Sequence, residues 1–133
     1  MVLLQSILIS IMSDYPEFES PQQHPRYTGI PTFMRAPYKE DLIDVEIALI
    51  GIPFDGGVTN RTGARHGPRE IRNQSSLIRM MNQASGINPY ELCRIADAGD
   101  AWVEKPFELV GALSEIESFF EKIHEAGVIP VSA

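Results

Sequence analysis

The residues best suited to chemistry in this chain lie in one stretch, Gly51-Ile-Pro-Phe-Asp-Gly-Gly-Val-Thr-Asn-Arg-Thr-Gly-Ala-Arg-His-Gly-Pro-Arg-Glu-Ile-Arg72. Gly51, Gly56, Gly57, Gly63 and Gly67 supply backbone freedom. Pro68 marks a helix start, and the free N–H groups of a first turn attract anions. A carboxylate, an amide, hydroxyls and guanidinium groups therefore share a loop that leaves a strand and feeds a helix, which is a site-like location. As a nucleotide motif the stretch fails, for it contains neither Gly-x-Gly-x-x-Gly nor Gly-Lys-Ser/Thr.

Charge sets this stretch apart. Arg61, Arg65, Arg69, Arg72 and Arg79 against Glu70 leave residues 56–90 at +4 in a chain of formal net charge −7, so the remainder carries −11. The acidic remainder repels phosphate backbones and anionic membranes, and no Phe, Trp or Tyr interleaves with the arginines before Tyr90 to stack bases. A nucleic-acid partner and a membrane partner are not expected. The arginines are expected to pair with carboxylates of neighbouring elements or of another subunit.

Other reactive side chains offer less. Asp97 and Asp100 form the best carboxylate pair, and a turn-stabilising role after a strand is expected for them. His24, His66 and His124 have no partners at ligand spacing. The single cysteine, Cys93, makes neither an intramolecular disulfide nor a multi-thiolate site. It is read as a buried inert thiol, which fits a reducing cytoplasm, and Trp102 is read as packing.

The elements that must position these groups follow from pattern. Regular structure begins at Val45, and Ile47–Ile52 is a nearly unbroken apolar run ending in Gly51 and Pro53, as in a parallel strand covered on both faces. Pro68 to Ala84, with Ile71, Ile78 and Met81 recurring on one side, reads as a helix. Leu92–Ala96 reads as a second strand closed by Asp97-Ala-Gly-Asp100. Pro106–Ala126 is the clearest helix, with Leu109, Leu113, Ile116, Phe120 and Ile123 on one side and a stop at Gly127. Val128–Val131 follows as a third strand, giving β-α-β-α-β with parallel pairing and right-handed crossovers.

At 133 residues, 44% apolar and 22% charged, the chain has the composition of one ordinary globular domain. Three strands and two helices nevertheless leave apolar faces and strand edges uncovered, so residues 45–133 read as part of a domain. Residues 1–44 read as an extension and a Pro-rich arm. Met1–Ile11 is apolar but too short to span a membrane and lacks a signal-peptide pattern, so translation from Met12 is an expectation. From Ser13 to Pro37, prolines and scattered aromatics predict an extended arm lying on another surface; the alternative is a floppy terminus.

Gly51-Ile-Pro-Phe-Asp55 followed by Arg61-Thr-Gly-Ala-Arg-His-Gly-Pro-Arg-Glu-Ile-Arg72 resembles the N-terminal signature of the ureohydrolase (arginase/agmatinase) family. Arg26-Tyr-Thr-Gly-Ile-Pro-Thr-Phe-Met-Arg35 is similar to the arm of its agmatinase, guanidinobutyrase and guanidinopropionase branch. Asp97-Ala-Gly-Asp100 and Gly127-Val-Ile-Pro-Val131 resemble its next two strand segments. The resemblance implies a three-layer α/β/α arginase-like fold with a parallel sheet, of which only the N-terminal β-α-β-α-β portion is present. It also implies trimers or hexamers, and a hydrolase that uses two Mn²⁺ ions to convert agmatine or a guanidino acid to urea and an amine.

The family's ligand motifs, Gly-Gly-Asp-His, Asp-Ala-His-x-Asp and Asp-x-Asp-x-x-Asp-Pro, do not occur in these residues. The expectation is therefore an N-terminal fragment, cut before the first metal-ligand motif, with no catalytic residue, no metal ligand and no activity alone. In the family the matching loop borders the active-site mouth, so Asp55, Asn60, Arg61 and Thr62 are the candidates for touching substrate or shaping its entrance. Equally open is a loop ordered by its own hydrogen bonds and subunit contacts. The alternative function is a non-catalytic ureohydrolase-like module for interaction or anion binding.

Overall fold

Ile47-Ala-Leu-Ile-Gly forms the central strand β1 (Ile47–Gly51) of a three-stranded parallel sheet. The computed structural model describes residues 25–133; the readings made of Met1–Ile11, of His24 and of the start of the arm fall outside it. In chain order come α1 (Gly67–Ser75), a short α2 (Pro89–Leu92), β2 (Ile95–Asp100), α3 (Leu109–Glu125) and β3 (Ile129–Ser132). The sheet order is β2-β1-β3, with Ile47 opposite Ile95 on one side and Ile129 on the other.

Period-two alternation divides β1 between two cores. Ala48 and Ile50 face α3, where they join Val45, Ala96, Ile123 and Val128 with Phe119 and Phe120 alongside. Small Ala48, Ala96 and Ala112 let the helix approach closely. On the other face Leu49 meets Phe33 and Ala36 from the arm, with Ile47, Ile95 and Tyr90 against them. Residues 25–44 thus include a segment that packs on the sheet, as the proline content suggests. It is not uniformly extended, because a 3₁₀ turn occupies Phe33–Arg35.

The two sheet edges differ. Along β2 the arm adds a short parallel contact, in which Asp97 N–H donates to Pro37 O at 2.9 Å and Lys39 N–H to Asp97 O at 3.0 Å. Among the described residues β3 has no second neighbour. Ile129 N–H donates to Glu46 O and Ala133 N–H to Ile50 O. By alternation Pro130, which has no N–H, stands on the outward side. Ile129 and Val131, in register with Ile47 and Leu49, remain exposed on the sheet face that those residues share.

Three local expectations need correction. The first helix ends at Ser75 rather than Ala84. Ser75 and Ser76 hydroxyls donate to the carbonyls of Arg72 and Asn73, and Asn82 Oδ1 then accepts from Ala84 and Ser85 N–H in a turn. Ile71, Ile78 and Met81 stay 40–53% exposed, so no fully buried face holds a longer helix together. The second strand runs Ile95–Asp100, not Leu92–Ala96, because Asn88 caps Pro89–Leu92 as a helix by accepting from Tyr90 N–H. Leu92 is consequently exposed and Cys93 only half-buried, not a buried core thiol.

The other elements differ from the sequence reading only at their ends. Trp102 is 83% exposed, so it does not pack within the described residues. No helix among them is long and apolar enough to cross a membrane.

Candidate functional site

The loop between β1 and α1 leaves the carboxyl end of the central strand, the edge at which open α/β sheets bind ligands. Its root is tight. A Cβ at Gly51 would collide with Asp100 Oδ1 and lie 2.7 Å from Pro68 Cβ, so glycine is what lets the loop's departure, its return and β2 meet. Pro68, buried in the first turn of α1, closes the loop.

Within the loop Asp55 is only 4% exposed. Its carboxylate accepts from Gly63 N–H at 2.7 Å and from Arg65 Nε at 2.6 Å, with Arg65 Nη2 closing the ion pair. Gly63 has φ 135, a conformation that side-chain-bearing residues avoid, and this turns its N–H toward Asp55. The Arg65 hydrogen bond, supported by that of Gly63, holds the Asp55 carboxyl down at about 2. Asp55 is thus the clamp of its own loop.

Asn60, Arg61 and Thr62 stand exposed at the loop's outer part. These three, adjacent in sequence, share their exposure, and burial separates Asp55 from them. Of the arginines that make this segment basic, Arg65 pairs with Asp55, and Arg72 pairs with Asp97 and Asp100. The pairing of Arg72 with carboxylates of a neighbouring strand is the kind expected, whereas Arg65 finds its partner within its own loop.

Asp97 stabilises the turn at Gly99, as expected, and does more. Asp97 lies inside β2 with 0% exposure, and its two oxygens take four donors. Arg72 Nε and Phe33 N–H reach Oδ2, both at 2.8 Å, while Arg72 Nη2 and Gly99 N–H reach Oδ1, both at 2.9 Å. Arg72 also donates to Asp100 Oδ1 at 2.6 Å and to Gly99 O at 3.0 Å, and lies over the Phe33 ring at 3.9 Å. Burial opposes the charge on Arg72, but these carboxylates outweigh it and raise its pKa above the ordinary value. Sequence reading singled out Asp97 and the arginine cluster separately. The signal that could have joined them is a charged residue inside an otherwise apolar strand, which requires a buried counter-ion.

Asp97 has no free lone pair for a metal, and Asp100 faces a guanidinium. Among the described residues no group of three His, Cys, Asp or Glu side chains is placed to hold a metal ion. The two-metal centre implied by the resemblance does not fit the described residues.

Comparison with known proteins adds an independent line. The profile of the arginase family matches residues 45–133. Guanidinopropionase of Pseudomonas aeruginosa is 49% identical over 120 residues, covering 90% of this chain and 37% of that protein. Human mitochondrial guanidino acid hydrolase is 36% identical over 122 residues, covering 90% of this chain and 34% of that protein. Among solved structures, proclavaminate amidinohydrolase from Streptomyces clavuligerus superposes with a TM-score of 0.71 at 37% identity, over 76% of this chain and 33% of its own. A hypothetical agmatinase from Burkholderia thailandensis gives 0.76 at 26% identity, over 88% and 37%. The chain spans about a third of the length of the curated relatives it matches.

Proposed function

Because the chain belongs to the arginase family, we propose that it supplies the N-terminal scaffold and the substrate-entrance loop of an enzyme that hydrolyses a guanidino compound to urea and an amine. The observation that carries this reading is the loop 52–66, clamped by Asp55 and Arg65 at the carboxyl end of the central strand, within the segment matched to the family. In this reading Asp55 shapes the entrance, while Asn60, Arg61 and Thr62 face arriving substrate. Residues 25–44 act as the arm and 45–133 as a partial catalytic domain. The two manganese ions are held by residues other than these, and the 133 residues alone are inactive. Assembly as a trimer or hexamer is part of the same proposal.

A carboxylate-bearing substrate fits the loop better than a diamine derivative. Arg61 has no carboxylate partner among the described residues. An exposed guanidinium attracts the acid group of a guanidino acid and repels the second cation of agmatine. The relatives named for guanidinopropionate and guanidino acids support the same choice.

Two measurements test the proposal. The purified chain is expected to bind no stoichiometric Mn²⁺ by calorimetry and to release no urea from 3-guanidinopropionate, 4-guanidinobutyrate or agmatine. Joined to the remaining two thirds of guanidinopropionase, it is expected to release urea from a guanidino acid. Metal-dependent urea release by the 133 residues alone overturns the inactive-scaffold reading, and a folded fusion without activity overturns the entrance-loop reading.

A further inference from the structure

Besides the Arg26 bond to Leu77 O and the Pro37–Lys39 bridge to β2, the arm is fastened at its Phe33–Arg35 turn, and there one fastening leads through Asp97 to the root of the 52–66 loop. On the arm side, Phe33 N–H donates to Asp97 Oδ2 at 2.8 Å and Met34 N–H to Ser75 Oγ at 2.8 Å. Tyr90 OH donates to Met34 O at 2.7 Å. These bonds hold Met34 at φ 53 and Arg35 at φ 61, left-handed conformations that residues with side chains keep only where their surroundings over-determine them. On the loop side, Asp100 Oδ1 lies over Gly51, and Ala101 N–H donates to Gly51 O at 2.8 Å.

Arg72 joins the two sides. Its Nε and Nη2 hold Asp97, its Nη1 holds Asp100, and its guanidinium covers Phe33. It does this from α1, the helix that begins where the loop ends. We propose that Arg72 is a positioning residue that couples the docked arm to the substrate-entrance loop, so that the two are ordered or loosened together. The Asp97–Arg72–Asp100 bridge is one rigid unit because a planar guanidinium fixes all three directions at once. That the loop admits substrate rests on the function proposed above; the coupling itself is read without any activity. Coupling between two sites is reciprocal, which gives the test its form.

The experiment is amide hydrogen exchange on the full 133-residue chain. Tyr90→Phe removes one hydrogen bond from the arm, and exchange at Phe33, Met34 and Ala36 is expected to rise about five-fold. Gly63 and Ala101 amides are expected to rise with them, whereas Ala112 and Ile123 of α3, on the opposite face, stay unchanged. Asp55→Asn loosens the loop, and Phe33 and Met34 are expected to follow. In an Arg72→Lys background, which keeps the charge and loses the fork, the effect of Tyr90→Phe is expected to stop at the arm. The proposal is overturned if Tyr90→Phe alters only arm amides with Arg72 intact. It is overturned equally if α3 exchange rises by the same factor, which marks loosening of the whole fold.

Discussion

Arg72 grips both oxygens of Asp97, Nε to Oδ2 at 2.8 Å and Nη2 to Oδ1 at 2.9 Å, from a helix to the interior of a strand. Removing one partner strands a charge without solvent. Arg72→Met is therefore expected to cost about 3–5 kcal/mol, the usual penalty for orphaning a buried ion. Urea unfolding followed by circular dichroism measures it. A loss below about 1 kcal/mol would mean that water reaches Asp97.

Gly51→Ala places a methyl group against Asp100 and within 2.7 Å of Pro68 Cβ. Asp100 then has to leave Arg72 or the loop root has to shift. Overpacking of this kind costs roughly 1–3 kcal/mol and lowers the thermal midpoint by several degrees. Calorimetry of the variant decides between this outcome and a tolerated substitution with an unchanged midpoint.

Asp55 gives the loop an acid limit. Its carboxyl titrates at about 2 in the folded chain because Arg65 and the Gly63 N–H hold its anion, against about 4 in an unfolded one. Its contribution is therefore complete above pH 4 and drains away between pH 4 and pH 2. Carboxyl shifts followed by NMR through that window are expected to place the midpoint near 2 and to show the Gly63 amide losing protection with it. A midpoint near 4 would show that the clamp does not persist in solution.

Tyr90 gives a signal at the opposite end of the scale. Burial pushes its phenol up to about 12, with the nearby Arg35 pulling weakly the other way. The folded state favours the neutral ring, so this contribution is whole below pH 10 and is lost as pH rises toward 12. Absorbance at the phenolate band is expected to show a late-titrating step that Tyr90→Phe removes. Simultaneous titration of all the tyrosines would place the Tyr90 ring in water.

Within a fusion that restores the rest of the enzyme, Arg61→Ala is expected to raise KM for a guanidino acid about three- to ten-fold, the range for an exposed charge-assisted contact. The value of kcat should change little, and agmatine should be used no worse. Asn60→Ala and Thr62→Ala test the neighbouring contacts in the same assay. Unchanged kinetics in all three variants would make the loop a structural element only.

The parallel β-α-β-α-β order was legible because it depends on local cues. Ile47–Gly51 is a short apolar run, Pro68 fits only a first turn, and the α3 periodicity extends over four turns. What escaped was decided by distant partners. Ile71, Ile78 and Met81 keep helical spacing, yet each stays 40% or more exposed, and serine hydroxyls end the helix first. Asp97 looked like the end of a strand because a carboxylate rarely lies inside one. Only Arg72, 25 residues earlier, makes it a strand residue. The pairing of Asp55, a candidate for touching substrate or shaping its entrance, was also hidden, because its partner Arg65 lies ten residues ahead and folds back onto it.

The outward-facing Pro130 bears on the time before the molecule is finished. Chains are made from the N-terminus, so in the longer relatives the matched third leaves the ribosome ahead of the rest. An exposed strand edge with an unbroken row of donors is a template on which another chain can pair. The missing rung makes such wrong pairing weaker, while the inward N–H groups of Ile129 and Ala133 keep the strand in its own sheet.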